Sequence, residues 1–374
     1  MEDRARETGG LDPVRERLRD ERGRGGRRSP YAPENTRADA RPNGDDRGGA
    51  TYAALDLGTN NCRLLIARPT GNSFRVIDAF SRIIRLGEGV STSGRLSGPA
   101  VARAIDALAV CRDKMRNRGV TRARLIATEA CRAATNGGDF QSQVRDLVGL
   151  DLEIIDRETE ASLAATGCTP LIDPQSPGVI LFDIGGGSSE LVRLGPSVHA
   201  GVGPPKPRIE AWVSLPVGVV TLAERHGGVD VTPDLFEAMV QEVAEHVAPF
   251  AQAHGRDLDG MHLLGTSGTV TTIAGVHLDL PRYDRRRVDG CWLSEGQISD
   301  VTERLMEMDY RDRVANPCIG AERADLVLAG CAILEAIRRA FPCPRLRVAD
   351  RGLREGILVE LMRADDAWRE AAQP

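Results

Sequence analysis

The sharpest hydrophobic pattern along the chain occurs twice. Around residue 183 an unbroken apolar run, Val179-Ile180-Leu181-Phe182, delivers Asp183. Gly185, Gly186, Gly187, Ser188 and Ser189 follow, and Glu190 opens a second apolar run. A short apolar run bounded by glycine predicts a buried strand. Residues 52–67 repeat the design. Tyr52-Ala53-Ala54-Leu55 leads to Asp56, then Gly58, Thr59, Asn60 and Asn61, and Leu64-Leu65-Ile66 resumes the apolar run. The copies lie about 127 residues apart, which predicts two similar half-molecules facing one ligand.

Elsewhere strand and helix periods alternate. Residues 74–79 predict a strand after the turn Gly71-Asn72. Residues 85–98 predict a loop, and Ser97-Gly98-Pro99 begins a helix with Val101, Ile105, Leu108 and Met115 on one face. Then come a strand at 124–128, a helix at 139–148, a strand at 152–156 and a helix at 157–167 bearing Glu158 and Glu160. The proline-rich stretch 168–177 predicts the crossing between halves, and 195–207 an insertion without regular structure. Strands follow at 211–220, 261–264 and 346–349, with helices at 233–250, 294–308, 322–340 and 353–362. The strand at 261–264 runs through Gly265-Thr266-Ser267-Gly268-Thr269 into a further helix. This alternation predicts an α/β architecture.

Composition narrows the chemistry. With 374 residues, 41% hydrophobic and 28% charged, the chain reads as a globular protein of two domains, or one large one. Residues 1–49, rich in Arg, Asp, Glu, Gly and Pro, read as a disordered tail or as an arm for an anionic partner. No apolar run reaches the roughly 18–20 residues of a membrane helix, and the start lacks a signal peptide's apolar core. Eight cysteines without metal or CxxC spacing predict reduced thiols in the cytoplasm. The six histidines show no ligand spacing. A net charge of −5 argues against DNA as a partner.

Lysine occurs only at Lys114 and Lys206, so no P-loop lysine is present. Phosphate would be held by backbone amides, arginine or metal. Glycine admits φ > 0 and close approach of the backbone to a ligand, and successive N–H groups in such a turn form an anion site. An Asp beside bound phosphate repels it unless a divalent cation lies between them. The plain alternative is a glycine-rich hairpin with no ligand.

In combination AALDLGTNNCRLLIA, ATEACRAATNG, ETEASLAATG, LFDIGGGSSELV, SLPVGVVTLAE, LLGTSGTVTTIAG and VADRGLREGIL resemble the exopolyphosphatase/pppGpp phosphatase (Ppx/GppA) family of the actin–Hsp70–sugar kinase superfamily, over roughly residues 50–362. The resemblance implies two RNase H-like domains with a cleft between them, each giving one phosphate loop. Domain I would span 50–170, completed by about 346–362, and domain II 175–345, with a tail at 363–374. It also implies a short form without the helical HD-type region of longer members, and allows a homodimer.

Residue by residue, the family's catalytic glutamate falls on Glu160 in Thr159-Glu160-Ala161-Ser162-Leu163, where Thr159 replaces a neighbouring family glutamate. Alone, Glu160 reads equally as a first-turn glutamate favouring the helix dipole. Arg132 falls on the arginine motif as phosphate clamp, against a plain surface arginine. Asp56, Asp183 and Glu190 would hold Mg²⁺ or Mn²⁺, with Glu190 also in reach of the attacking water. Gly58, Thr59, Asn60, Asn61, Gly185, Gly186, Gly187, Ser188 and Ser189 would bind substrate. Gly265, Thr266, Ser267, Gly268 and Thr269 match the superfamily's nucleoside-side loop, or else a tight strand-to-helix turn. The implied function is release of terminal phosphate from polyphosphate, or conversion of pppGpp to ppGpp. The alternatives are a polyphosphate or (p)ppGpp sensor without turnover and a phosphotransferase using ADP.

Overall fold

The computed structural model describes residues 49–198 and 203–368, and two sheets of one plan run through them. Strands β1 (Tyr52–Leu57), β2 (Asn61–Thr70) and β3 (Ser73–Ile83) form an antiparallel meander. On the other side of β1, β4 (Arg122–Ala127) and β5 (Glu153–Ile154) join in parallel, giving the order β3-β2-β1-β4-β5. The second sheet repeats the meander with β6 (Val179–Ile184), β7 (Ser189–Val198) and β8 (Lys206–Leu215). Beyond β6 lie β9 (His262–Thr266) and β11 (Arg345–Ala349) in parallel, with β10 (Trp292–Ser294) antiparallel at the edge. These are two RNase H-like domains, each with its Asp-bearing strand inside the sheet.

β1 and β6 are apolar without alternation because helices cover both faces of their sheets. The helices Gly98–Asn117 and Gly137–Val148 bury Leu108 and Val144 against Leu55 and Leu64 on one face of the first sheet. On its other face, Ile357, Leu358 and Met362 of the helix Leu353–Ala364 pack on Tyr52, Ala54 and Leu65. The helices Pro233–His254, Gly268–His277 and Val327–Ala340 cover Phe182, Leu191 and Leu263 of the second sheet. The helix Arg157–Cys168 covers its opposite face, with Ala161 and Ala165 against Leu181, Val192 and Leu264. The helices after β5 and β11 therefore cross between the sheets. They pass so closely that a Cβ on Gly356 would lie 1.9 Å from the Leu163 carbonyl oxygen, so only glycine fits there.

The expected helix starts follow from their caps. Ser97 accepts from the Ala100 N–H with Pro99 in the first turn, and Thr232 accepts from the Leu235 N–H ahead of Pro233. Ser294 and Gln297 form a reciprocal capping box.

Several expectations need correction. The stretch 195–207 is largely hairpin, since β7 runs to Val198 and β8 starts at Lys206, with the two paired; 199–202 lie outside the described residues. The strand expected at 211–220 stops at Leu215, and Val219–His226 is a helix. Its first amides are spent on the glycine loop, Val219 N–H donating to Gly185 O and Val220 N–H to Gly186 O. The helix expected from 322 begins at Val327, since residues 321–326 make turns in which Arg323 N–H donates to Gly320 O and Leu326 N–H to Arg323 O. The predicted loop at 85–98 contains a helical turn, Val90–Ser93, between two left-handed glycines. Residues 345–349 pair with β9 in the second sheet, so only the helix Leu353–Ala364 completes the first. In the expected tail at 363–374, Trp368 is buried and its indole N–H donates to Ser73 O. The expected N-terminal tail, 1–49, lies outside the described residues except for its last position. No helix among the described residues is long and apolar enough to cross a membrane.

Candidate active site

The two repeated stretches make the same turn. Gly58 N–H donates to Asn61 O, and in the second copy Gly185 N–H donates to Ser188 O, both at 2.9 Å. Each turn ends the central strand just past its carboxylate. Asp56 stands opposite Arg63 across β1 and β2, and Asp183 opposite Glu190 across β6 and β7. None of the loop glycines 58, 185, 186 or 187 has a left-handed φ, which removes one of the two reasons expected for them. Close approach requires Gly185, Gly186 and Gly187 instead, whereas a Cβ on Gly58 would meet nothing nearer than 3.6 Å. A Cβ on Gly186 would lie 2.8 Å from Thr59 Cβ, so the two loops touch across the cleft.

Between them is a cavity of about 130 Å³, where one water needs roughly 10–15 Å³ of such space. It has room for a phosphate group with waters. The loops Gly58–Asn61 and Gly185–Ser188 line it, with Asp56, Asp183 and Glu160. Glu160 faces the cavity while Glu158 is exposed outside it. Its helix is started by Asp156, whose carboxylate accepts from the Thr159 N–H at 2.7 Å.

Asp56, Asp183 and Glu160 line the cavity and Glu190 stands behind it, and burial raises all four carboxyls. Glu160 is pushed up to about 8, first by burial and then by the charge of Glu190, against the pull of Arg132. Asp183 is pushed up to about 7 by burial and by Glu160. Glu190 also reaches about 7 through burial and Asp183, opposed by hydrogen bonds from the Ser214 and Ser188 hydroxyls. Burial raises Asp56 as well, tempered by Arg63 and Arg354. A pair of lining aspartates, Asp56 and Asp183, suits a divalent cation completed by phosphate oxygens and water. Moreover, Asn60 Oδ1 and Asn61 Oδ1 are buried without a protein partner, which leaves oxygen acceptors of the kind a hard cation takes.

Some expected residues lie elsewhere. Glu190 is not part of the cavity wall; its Oε1 accepts from Ser188 Oγ (2.9 Å) and Ser214 Oγ (2.8 Å). Among the described residues no three His, Cys, Asp or Glu side chains gather into a ready-made metal site, so Asp56, Asp183 and Glu190 do not form a three-acid set. Magnesium commonly uses one or two carboxylates, completed by phosphate oxygens and water. Ser189 is fully buried and donates to Val217 O, supporting its loop from behind. Of the third loop, Ser267, Gly268 and Thr269 line the cavity. Gly265 instead packs on the Phe182 ring, and Thr266 donates to Arg351 O. Ser267 Oγ accepts from the Thr269 and Val270 amides, so that helix start is capped by its own side chain.

Arg132 is also absent from the wall. Its guanidinium donates to Glu129, to Glu160 and to Ile155 O. Residues not singled out in the sequence do line the cavity: Arg63, Thr128, Glu129 and Arg323. Overlaying the two copies would have found Arg63, which takes in the first the position Glu190 takes in the second. Arg323, in a segment of turns, gave no such signal.

Two RNase H-like domains, each offering a glycine turn and a strand-end Asp to one cleft, define a phosphate-handling enzyme of the actin–Hsp70–sugar kinase type. The chain belongs to the Ppx/GppA phosphatase family, whose sequence model matches residues 65–365. It is 28% identical over 324 residues to "Exopolyphosphatase 2" of Mycobacterium tuberculosis, covering 83% of this chain and 98% of that protein. To "Guanosine-5'-triphosphate,3'-diphosphate pyrophosphatase" of Photobacterium profundum it is 27% identical, over 83% of this chain and 59% of that one. Among solved structures, the Aquifex aeolicus Ppx/GppA family member is similar, with a TM-score of 0.69, 28% identity and coverage of 85% of this chain and 99% of that one.

Proposed function

We propose that the chain hydrolyses the terminal phosphoanhydride bond of inorganic polyphosphate, and of pppGpp at the same site. The observation that carries this reading is the meeting of the loops Gly58–Asn61 and Gly185–Ser188 around a small cavity into which Glu160 projects. The names of the relatives supply the substrate classes. In this reading the loop amides and the Ser188 hydroxyl bind the terminal phosphate, and Arg63 and Arg323 offset its charge. Glu160 orients and deprotonates a water for in-line attack on phosphorus, and a value near 8 suits a base working around neutral pH. Asp56 and Asp183 would hold Mg²⁺ or Mn²⁺, with Glu190 beside them. When bound, the metal would neutralise charge on the phosphate oxygens.

The test is phosphate release by wild type and Glu160→Gln, with Mg²⁺ or EDTA, on short polyphosphate, long polyphosphate and pppGpp. Metal-dependent release that Glu160→Gln abolishes is expected. No release from any of the three by folded protein would sink the reading.

A further inference from the structure

Arg132 is the arginine best placed by its motif to grip phosphate, yet it does not reach the cavity. Its fork is already filled. Nε and Nη2 donate to Glu129 Oε2 at 3.0 and 2.5 Å, Nη2 also donates to Glu160 Oε2 at 3.1 Å, and Nη1 donates to Ile155 O at 2.7 Å. Glu129 does line the cavity. Its other oxygen accepts from Arg157 Nη2 at 3.0 Å, so two arginines hold it in place. The glutamate also lies hard against the second loop, with its Cγ 3.1 Å from where a Cβ on Gly187 would stand.

A carboxylate beside a phosphate site needs a reason, because it repels the ligand. Two donors of Arg132 converging on Glu129 Oε2 are the same donors the guanidinium would offer to a phosphate. We propose that Glu129 is a built-in competitor of phosphate for Arg132, filling the fork when the site is empty and returning to it to eject the product. This rests on the reading of the cleft as a phosphate site. A substrate chain gains contacts along several phosphates and can displace Glu129. A single orthophosphate has only the terminal subsite, so Glu129 weakens product more than substrate.

Orthophosphate binding, read by titration calorimetry, tests this without turnover. Wild type, Glu129→Gln, Arg132→Met and the double variant are compared, with circular dichroism as the check on folding. Glu129→Gln should bind orthophosphate about tenfold more tightly, since charge-assisted bonds of the freed fork become available to it. In the Arg132→Met background the same change should give a much smaller gain, only the part due to removing the Glu129 charge. In steady state, product inhibition of Glu129→Gln should strengthen by the same factor. Glu129→Ala gives a second reading if glutamine disturbs the turn. Equal or weaker binding by both Glu129 variants overturns the proposal while leaving the phosphate site standing. So does a gain that is undiminished without Arg132, which would mean simple removal of a negative charge. Failure of all four proteins to bind orthophosphate overturns the site reading and the proposal together.

Discussion

Gly186 and Thr59 come from different domains, and a methyl group on Gly186 would lie 2.8 Å from the β-carbon of Thr59. The geometry of the proposed site therefore depends on this close contact between the loops. Gly186→Ala should force the loops apart, at a cost of about 1–3 kcal/mol in stability from overpacking. A displacement of about 1 Å at a reacting centre can cost roughly 100-fold. Phosphate release should fall far more than the melting temperature, and an alanine variant of normal rate would show that the loops need not touch.

The acids of the cavity predict a pH profile. In the proposed mechanism Glu160 acts as base only when ionised, and burial with the charge of Glu190 holds it up to about 8. The ionised fraction grows as pH rises, so kcat/KM should climb through the range from 7 to 8 in low Mg²⁺. A bound cation favours ionised carboxylates. Raising Mg²⁺ should move the rising limb to lower pH; a limb that ignores Mg²⁺ would separate the metal from these acids.

Asp78 on β3 accepts from Lys114 (2.8 Å) and Arg118 (2.9 Å) at the end of the helix Gly98–Asn117. Burial raises its carboxyl, but the two hydrogen bonds outweigh that and leave it below its ordinary value. A depressed folded-state value gives stability that is present above the unfolded value of about 3.9 and is lost as pH falls through the folded one. Asp78→Asn should cost about 1 kcal/mol at neutral pH, the partners being partly exposed. In denaturant melts the difference should shrink as acid takes the wild type below the ordinary aspartate range.

The two domains are also latched at the mouth of the cleft. Arg85 donates to both oxygens of Asp325, at 2.9 and 3.0 Å, and Glu224 accepts from Gly89 N–H and the Ser91 hydroxyl. A double-mutant cycle on Arg85→Ala and Asp325→Asn should return a coupling of about 1 kcal/mol. KM should rise in each variant with kcat little changed. A cycle with no coupling would make the pair ornamental.

What the sequence made legible was local. Asp56 and Asp183 could be placed because each follows an apolar run and precedes a glycine turn within a few residues. The hairpins then fixed their partners. Glu160 was reached through its motif, and it lines the cavity while Glu158 stays exposed outside it. Val219–His226 was misread because its amides answer to Gly185 and Gly186, more than thirty positions away, and no local period reports such a bond. Arg132 was recognised, but Glu129's hold on it depends on side-chain geometry that a string of letters does not carry. Arg323 arrives from turns that show no period at all.

The helix Leu353–Ala364, whose Ile357, Leu358 and Met362 lie on Tyr52, Ala54 and Leu65, has a consequence for how the molecule is made. A nascent chain carrying every strand of the first sheet still exposes one apolar face of it until about two hundred further residues have left the ribosome. Contacts closed over so long a separation form late and slowly. The second domain must then be largely in place before the first is sealed. An excised first domain, cut anywhere ahead of residue 353, should come out of cells as aggregate.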